Sequence, residues 1–301
     1  MKMKKFWISV GKAVLYFGAY FGAQVVVSFA VSLVLSVIVS ISMMQPDGAF
    51  DMDAYMNKAN AALGEAMPYI LIVSGLLTIL IFFIVAKIRK KKFAKSALLN
   101  KLKPATIAPI VIGGIAFNFA ISYVLSIIPF PQSWIESYEA SSSELLGSVS
   151  IALWISVVIM APLVEELTFR GFIYTRLKQG MAKWIAVILT SLLFGVVHGT
   201  IIWAMYTFVF SLCLIYIFER TKSLWGCILF HMAFNLVGAV MSTWPEFGEK
   251  IDGLAMIIGS VIVTIAAAVW FILVSKKGEN EAVEETETNN EIGEKQMMNE
   301  M

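Results

Sequence analysis

The hydrophobic and polar positions of this chain fall into long blocks, with apolar runs separated by short polar or charged segments. An apolar run of about 18 residues or more is long enough to cross a bilayer as a helix, since each residue adds about 1.5 Å of rise. Eight such runs are present: 13–42, 68–86, 107–129, 148–175, 182–202, 203–219, 223–242 and 253–275. The pattern predicts an all-α, polytopic membrane protein, a bundle of about eight transmembrane helices.

The composition agrees with this prediction. Of the 301 residues, 59% are hydrophobic and 15% are charged, whereas a soluble domain has about a quarter of its residues charged. This composition excludes a soluble globular enzyme. The small net charge of +2 carries little information by itself, and no nucleic-acid partner is expected.

The distribution of basic residues predicts the orientation in the membrane. All but two of the 23 Lys and Arg residues lie before the first run or in alternate segments after it, and the two exceptions are Lys58 and Lys250. Lys and Arg concentrate on the cytoplasmic side of membrane proteins. The sequence therefore predicts a cell-membrane protein with both termini in the cytoplasm and an even number of spans.

The two ends of the chain are predicted to differ. The N-terminal segment resembles the start of a signal peptide, but its apolar run is too long, so we expect it to stay as the first helix. The acidic segment 278–301 is predicted to be a disordered cytoplasmic tail. Between these ends we expect a scaffold of helices 1–3 (1–130), a core of helices 4–7 (145–245) and a final helix (253–275).

Ionisable residues inside the apolar runs concentrate in the second half of the chain. Burying such a group in a bilayer costs at least about 2.5–3.5 kcal/mol, so it indicates a function or a partner. Glu165, Glu166 and Arg170 lie on the fourth run. The chain has two histidines, His198 and His231, and both lie within apolar runs.

The spacing of these residues predicts which side chains share a helix face. Glu166 and Arg170 are four residues apart and can form an ion pair along one face. Glu165 lies about 100° away around the helix and can point elsewhere. His231 and Asn235 are also four apart, so both can present polar groups to one point in the bundle interior.

The fourth and fifth runs are predicted to form an antiparallel pair that turns at Gly180. Glu165 and His198 lie at similar distances from that turn, so we expect them at the same height, with room for a water between them. Phe194 shares a face with His198. His231 lies only a few residues after the next turn, which would place it nearer the membrane surface than Glu165. Either that turn lies deeper in the membrane, or the fourth and fifth helices project into the cytoplasm.

Three segments carry a resemblance to a known family. They are EELTFR at 165–170, FGVVH at 194–198 and HMAFN at 231–235. In this order they match the motifs EExxxR, FxxxH and HxxxN (or HxxxD) of the CPBP family of intramembrane endopeptidases, also called Abi or CAAX protease-like proteins, which they resemble. Each motif is short, and the resemblance covers about residues 145–245.

The resemblance implies hydrolysis of a peptide bond near the cytoplasmic side of the membrane, with water as the nucleophile and no required cofactor. Glu165, helped by His198, would take a proton from a water held between them. His231 and Asn235 would donate hydrogen bonds to the oxyanion of the tetrahedral intermediate. Three residues would have supporting roles: Glu166 and Arg170 as an ion pair, and Phe194 as a wall of the cavity.

A metal site is the alternative for the same residues. Glu165, His198 and His231 could supply one carboxylate and two imidazoles to Zn²⁺, with a water as the fourth ligand. Against this alternative, the chain contains no HExxH segment, and an oxyanion role would occupy His231.

Two alternatives of another class stay open at this point. A non-catalytic bacteriocin-immunity or scaffold protein could use the same polar cavity to bind a partner. A transporter could use Glu165 and the histidines as a proton relay, although no inverted repeat is visible. The expected partners are the lipid bilayer and a membrane-associated peptide or protein substrate, whose identity and prenylation the sequence leaves open together with the oligomeric state.

Overall fold

A computed structural model describes residues 2–44, 50–146, 150–244, 246 and 258–275. These residues form helices and short connections without any β-strand, which confirms the predicted all-α class. The helices are α1 (Lys2–Ser42), α2 (Met52–Ile88), α3 (Phe93–Ser96), α4 (Pro104–Ile127), α5 (Gln132–Leu146), α6 (Ile151–Gly180), α7 (Lys183–Val196), α8 (Ile201–Thr221), α9 (Leu224–Thr243) and α10 (Ile258–Ser275). The predicted disordered tail, 278–301, lies outside the described residues.

Within the described ranges, seven helices are long and apolar enough to cross a membrane. The fifth predicted span, 182–202, is the exception. It corresponds to α7, which has 14 residues and is therefore about 21 Å long. The chain turns at Gly199, whose φ is +89°, and Thr200 then caps α8 by accepting a hydrogen bond from the Trp203 N–H at 3.3 Å. The predicted runs 182–202 and 203–219 placed the boundary between these two helices a few residues too late, because the sequence stays apolar across this turn.

Helix α2 begins earlier than its predicted span, which was 68–86. Asp51 caps it by accepting a hydrogen bond from the Ala54 N–H at 3.0 Å, and the helix continues through Pro68. The amphipathic segment before the apolar run is therefore the first part of the same helix. Cap residues mark a helix start by hydrogen bonding rather than by hydropathy, which explains the difference.

Helix α6 is irregular around the two glutamates. Its α-helical section Ala161–Glu166 lies between two π-helical sections, Ile155–Met160 and Leu167–Tyr174. The wider π turns shift the faces that the side chains occupy and recur at functional sites. The sequence predicts a regular helix here, so the directions of the side chains before and after the glutamates are a finding of the structure.

Helix α1 packs antiparallel along α6. A Cβ atom on Gly180 would lie only 2.5 Å from the Ser9 Cβ, so a residue without a side chain is required where the two helices touch. Farther along, the rings of Tyr16 and Phe172 stack with centroids 4.5 Å apart. These contacts place the first helix directly against the helix that carries both glutamates.

The turn between α8 and α9 lies deeper in the bundle than the end of α6, and we call it the sunk turn. The Leu224 side chain lies 3.6 Å from the position of a Cβ on Gly171, and α6 continues from Gly171 to Gly180. Because α9 begins at this level, His231 reaches the glutamates although it is only two turns into its helix. This answers the question of relative depth that the sequence leaves open.

The basic connection between α2 and α4 holds the sunk turn in place. The Asn100 Nδ2 donates to the Lys222 carbonyl at 2.6 Å, and the Ser223 hydroxyl donates to the Asn100 carbonyl at 2.6 Å. The Leu224 N–H donates to the Leu98 carbonyl at 3.0 Å. These three hydrogen bonds satisfy backbone groups that a buried turn would otherwise leave unpaired.

One carboxylate joins the ends of α6, α7 and α8. Glu219 pairs with the amino groups of Lys178 at 2.7 Å, Lys183 at 2.8 Å and Lys222 at 3.0 Å. The Tyr174 hydroxyl donates to the same carboxylate at 3.0 Å. The lysines are largely exposed, so each pair contributes little alone, but together they hold the ends of α6, α7 and α8 near one another.

Candidate functional site

Glu166 is sealed inside the bundle and fully paired on one oxygen. Its Oε1 lies 3.0 Å from Nη1 of Arg170 and 2.8 Å from Nδ1 of His231. Glu166 and Arg170 are both 0% exposed. Since a carboxylate only accepts hydrogen bonds, Nδ1 of His231 carries a proton in this contact. The predicted ion pair is present, and His231 is a second partner that the sequence does not indicate.

Arg170 is compensated by more than one group. Beyond its pair with Glu166, its Nη2 donates to the Ser211 carbonyl at 3.4 Å. Its guanidinium carbon lies 4.3 Å from the centroid of the Phe194 ring, a cation–π arrangement. A buried charge is stable only when it is paired and hydrogen-bonded. Arg170 satisfies this condition through its two terminal nitrogens, whereas its Nε has no hydrogen-bond partner among the described residues.

Glu165 is the contrasting case. Its side chain is 17% exposed, and its Oε2 lies 4.0 Å from Nε2 of His231. That oxygen is itself buried and has no hydrogen-bond partner among the described residues, and the same is true of Glu166 Oε2. A separation of 4.0 Å is too long for a direct hydrogen bond. Because the Glu165 side chain is partly exposed and the Glu166 side chain is not, Glu165 is the one of the two carboxylates that a small molecule or a substrate can reach.

His198 lies just beyond the end of α7 and is half-buried. Its Nδ1 is 2.6 Å from the Phe194 carbonyl. Nδ1 donates this bond, since a carbonyl only accepts, and so Nε2 of the neutral ring is an acceptor. In the part of the chain that the structure describes, no hydrogen bond or ion pair joins His198 to Glu165, so their cooperation on a shared water stays a prediction.

Phe194 separates the two histidines and is fully buried. Its ring centroid lies 4.8 Å from that of His198 and 6.2 Å from that of His231. Phe210, on α8, packs on the other side of His231 at 4.9 Å. The sequence suggests Phe210 only as a packing or lipid-facing residue. Its contact with an imidazole 21 residues away in sequence has no local signal.

Asn235 lies one turn beyond His231 on α9. Its Nδ2 donates a hydrogen bond to the Val157 carbonyl at 2.9 Å, within the first π-helical section of α6. A carboxamide nitrogen has two N–H groups, so one donor is left for another partner. The sequence does not predict the Val157 carbonyl as the partner of Asn235, because that carbonyl is available only through the irregular backbone of this section.

The proposed zinc ligands are not assembled as a metal site. Among the described side chains, no group of three or more His, Cys, Asp and Glu residues is placed to hold a metal ion. In addition, Nδ1 of both histidines is already engaged, with Glu166 for His231 and with the Phe194 carbonyl for His198. Metal dependence stays a question for experiment, and no step below is routed through a metal.

The fold and the site define a class: a multi-pass helical membrane protein with a carboxylate–imidazole–guanidinium cluster inside its bundle. Residues 147–237 match the family described as "Rce1-like: Type II CAAX prenyl endopeptidase Rce1-like". This confirms the resemblance predicted from the three motifs, since the matched segment contains all of them.

Two curated proteins are similar to parts of the chain. One is the "UPF0177 protein YbdI" of Lactococcus lactis subsp. lactis (strain IL1403), 27% identical over 129 residues, which are 42% of this chain and 70% of that protein. The other is the "Putative membrane peptidase YdiL" of Bacillus subtilis (strain 168), 24% identical over 102 residues, which are 34% of this chain and 41% of that protein. No solved structure gives a significant match.

Proposed function

We propose that this protein is an intramembrane endopeptidase that hydrolyses a peptide bond of a membrane-associated peptide or protein. The observation that carries the proposal is the Glu165 carboxylate, which is 17% exposed and lies 4.0 Å from Nε2 of His231, beside a second glutamate that is fully buried and contacts Arg170 and His231 through its Oε1. The match to a family of endopeptidases over residues 147–237 supports the same reaction.

Glu165 is the general base in this mechanism. It takes a proton from a water that His198 orients through its free Nε2, and the resulting hydroxide attacks the scissile carbonyl carbon. The protonated Glu165 then gives that proton to the leaving amine when the C–N bond breaks. General-base catalysis of this kind contributes about 10²–10⁴-fold.

His231 and Asn235 stabilise the oxyanion. With Nδ1–H directed to Glu166, His231 can donate from Nε2 only as an imidazolium. That form balances the site, because Arg170 and His231 then carry two positive charges against the two glutamates. The second N–H of Asn235 adds another donor, and each such donor is worth about 10²–10³ in rate.

The membrane setting is part of the proposal. The seven long apolar helices show a multi-pass membrane protein, and the alternating basic segments support a cell-membrane location with cytoplasmic termini. Both termini lie on one side only if the shorter α7 crosses as an eighth segment. Reporter fusions at each terminus and within residues 44–50 test this. Cytoplasmic signals from both ends with an external signal from the connection are expected, and a cytoplasmic signal from the connection would contradict it.

Cleavage of a quenched peptide library by the purified protein in nanodiscs tests the reaction. We expect wild-type protein to cleave, Glu165→Gln and His198→Ala to lose cleavage, and a strong chelator to have no effect. Loss of cleavage under chelation, restored by Zn²⁺, would replace the glutamate–water mechanism with the metal alternative. A folded wild type that cleaves nothing would favour the non-catalytic immunity or scaffold protein.

A further inference from the structure

Gln24 is the one carboxamide in α1, a helix that lies outside the matched segment 147–237. From sequence alone it belongs to the scaffold. A primary amide in an otherwise apolar membrane helix is costly unless it meets a partner. The structure shows what that amide faces.

The register of α1 against α6 places Gln24 at the level of Glu165. Three contacts define the register: Ser9 against Gly180, Tyr16 against Phe172 and Tyr20 against Phe169. Moving up α1 corresponds to moving back along α6, by about the same number of residues at each step. The next turn after the Tyr20–Phe169 contact therefore brings Gln24 beside Glu165.

Tyr20, one turn before Gln24, lies near the same carboxylate. Its side chain is 5% exposed, its ring lies 5.7 Å from that of Phe169, and its hydroxyl interacts electrostatically with the Glu165 carboxylate and with the Gln24 side chain. Tyr20 and Gln24 are one turn apart and share a face. Both residues therefore lie on the face of α1 that packs against α6.

We propose that Gln24 forms a subsite that binds the backbone of the peptide substrate next to the bond cleaved at Glu165, an inference that rests on the proposed endopeptidase function. A carboxamide has two N–H donors and an acceptor oxygen, so its contact with Tyr20 leaves groups to spare. A peptide entering an apolar bundle needs partners for its own N–H and C=O groups. Gln24 supplies both kinds at the level of the reacting carbonyl, whatever the substrate side chains are.

The effect on turnover tests the subsite. Gln24→Met keeps the size of the side chain and removes its polar groups, and Gln24→Ala is a second variant in case one of them is unstable. We expect KM for the best-cleaved library peptide to rise about tenfold, the worth of a typical hydrogen bond, with kcat close to wild type. Ser40→Ala, on the same helix and bonded only to the Ser36 carbonyl, is the control and should leave KM unchanged. A fall in kcat at constant KM, or no change, would overturn the subsite.

A binding measurement separates this inference from the proposed function. In a Glu165→Gln background, a fluorescent apolar decapeptide from the same library is titrated with and without Gln24→Met. About tenfold weaker binding with Gln24→Met supports the subsite even if no form of the protein cleaves. Equal binding rejects the subsite even if wild-type protein cleaves well. Absence of cleavage alone counts only against the endopeptidase function.

Discussion

Helix α6 has a sealed side and an open side, and two neighbouring glutamates divide between them. Glu166 is 0% exposed and its Oε1 contacts both Arg170 and His231, whereas Glu165 is 17% exposed. The Oε2 atom of each is buried and has no hydrogen-bond partner among the described residues, so exposure and ion pairing are what distinguish them. The two residues have the same chemistry and differ by one position in sequence. Their surroundings alone are the basis for the supporting role and the reactive role that we propose for them.

His231 lies between the two glutamates. Its Nδ1 contacts the sealed carboxylate at 2.8 Å and its Nε2 lies 4.0 Å from the open one. The imidazole is therefore oriented by Glu166 and presented to the space beside Glu165. The hydrogen bond made by one ring nitrogen of a histidine orients the other ring nitrogen.

The largest expected effect comes from removing the negative charge of Glu165, on the open side of α6. Glu165→Gln keeps the shape and removes the base, so kcat/KM for a cleaved peptide should fall by about 10²–10⁴-fold. The thermal unfolding midpoint should stay close to wild type, because this carboxylate forms no ion pair that the fold requires. Cleavage assays and unfolding scans on the same preparation check both parts. Retained activity would assign the reaction to another group.

Breaking the Glu166–Arg170 ion pair, on the sealed side of α6, should lower the stability of the fold. Arg170→Met leaves the Glu166 carboxylate with a single partner in a fully buried position, which typically costs about 3–5 kcal/mol. Unfolding in mixed micelles measures this loss. The matched control is the double variant Glu166→Gln/Arg170→Met, which removes both charges and should recover much of the stability. A double variant no better than the single one would show that the pair is not coupled.

Substitutions of Asn235 test its proposed role as a hydrogen-bond donor to the oxyanion. Asn235→Ala removes the donor to Val157 and the proposed oxyanion donor, so kcat should fall by about 10²–10³ with little change in KM. Single-turnover and steady-state cleavage distinguish the two constants. Asn235→Asp, which keeps the size but lacks the N–H groups, should be as slow. Wild-type kcat in Asn235→Asp would show that the reaction needs no N–H donor at this position.

The smallest effect is expected at the sunk turn, which sets the height of His231 between the two glutamates. Asn100→Ala removes the hydrogen bond to the Lys222 carbonyl and should lower the free energy of unfolding by about 1 kcal/mol. Unfolding in mixed micelles measures it. Ser96→Ala, whose hydroxyl bonds only to the Lys92 carbonyl nearby, is the control. Equal effects of the two variants would contradict a clamping role for Asn100.

Much of the fold was predictable from residue patterns. The apolar runs predicted the helices, since helix length is set by bilayer thickness, and the spacing of Glu166 and Arg170 predicted their ion pair. The boundary between α7 and α8 was predicted after residue 202 rather than at Gly199, because hydropathy does not change at the turn. The early start of α2 at Met52 was missed because a cap by Asp51 depends on hydrogen bonding rather than on apolar length.

The sequence by itself determined that this chain is an all-α membrane protein and which few ionisable side chains lie within its spans. It also determined that Glu165 and Glu166 point in different directions, because adjacent residues are rotated about 100° on any helix. Only the tertiary structure decided which of the two is sealed. Whether a glutamate is sealed depends on its contact with His231, 65 residues away, and on the sunk turn that sets the height of His231. It also depends on the packing of α1. Such long-range contacts leave no local pattern in the chain.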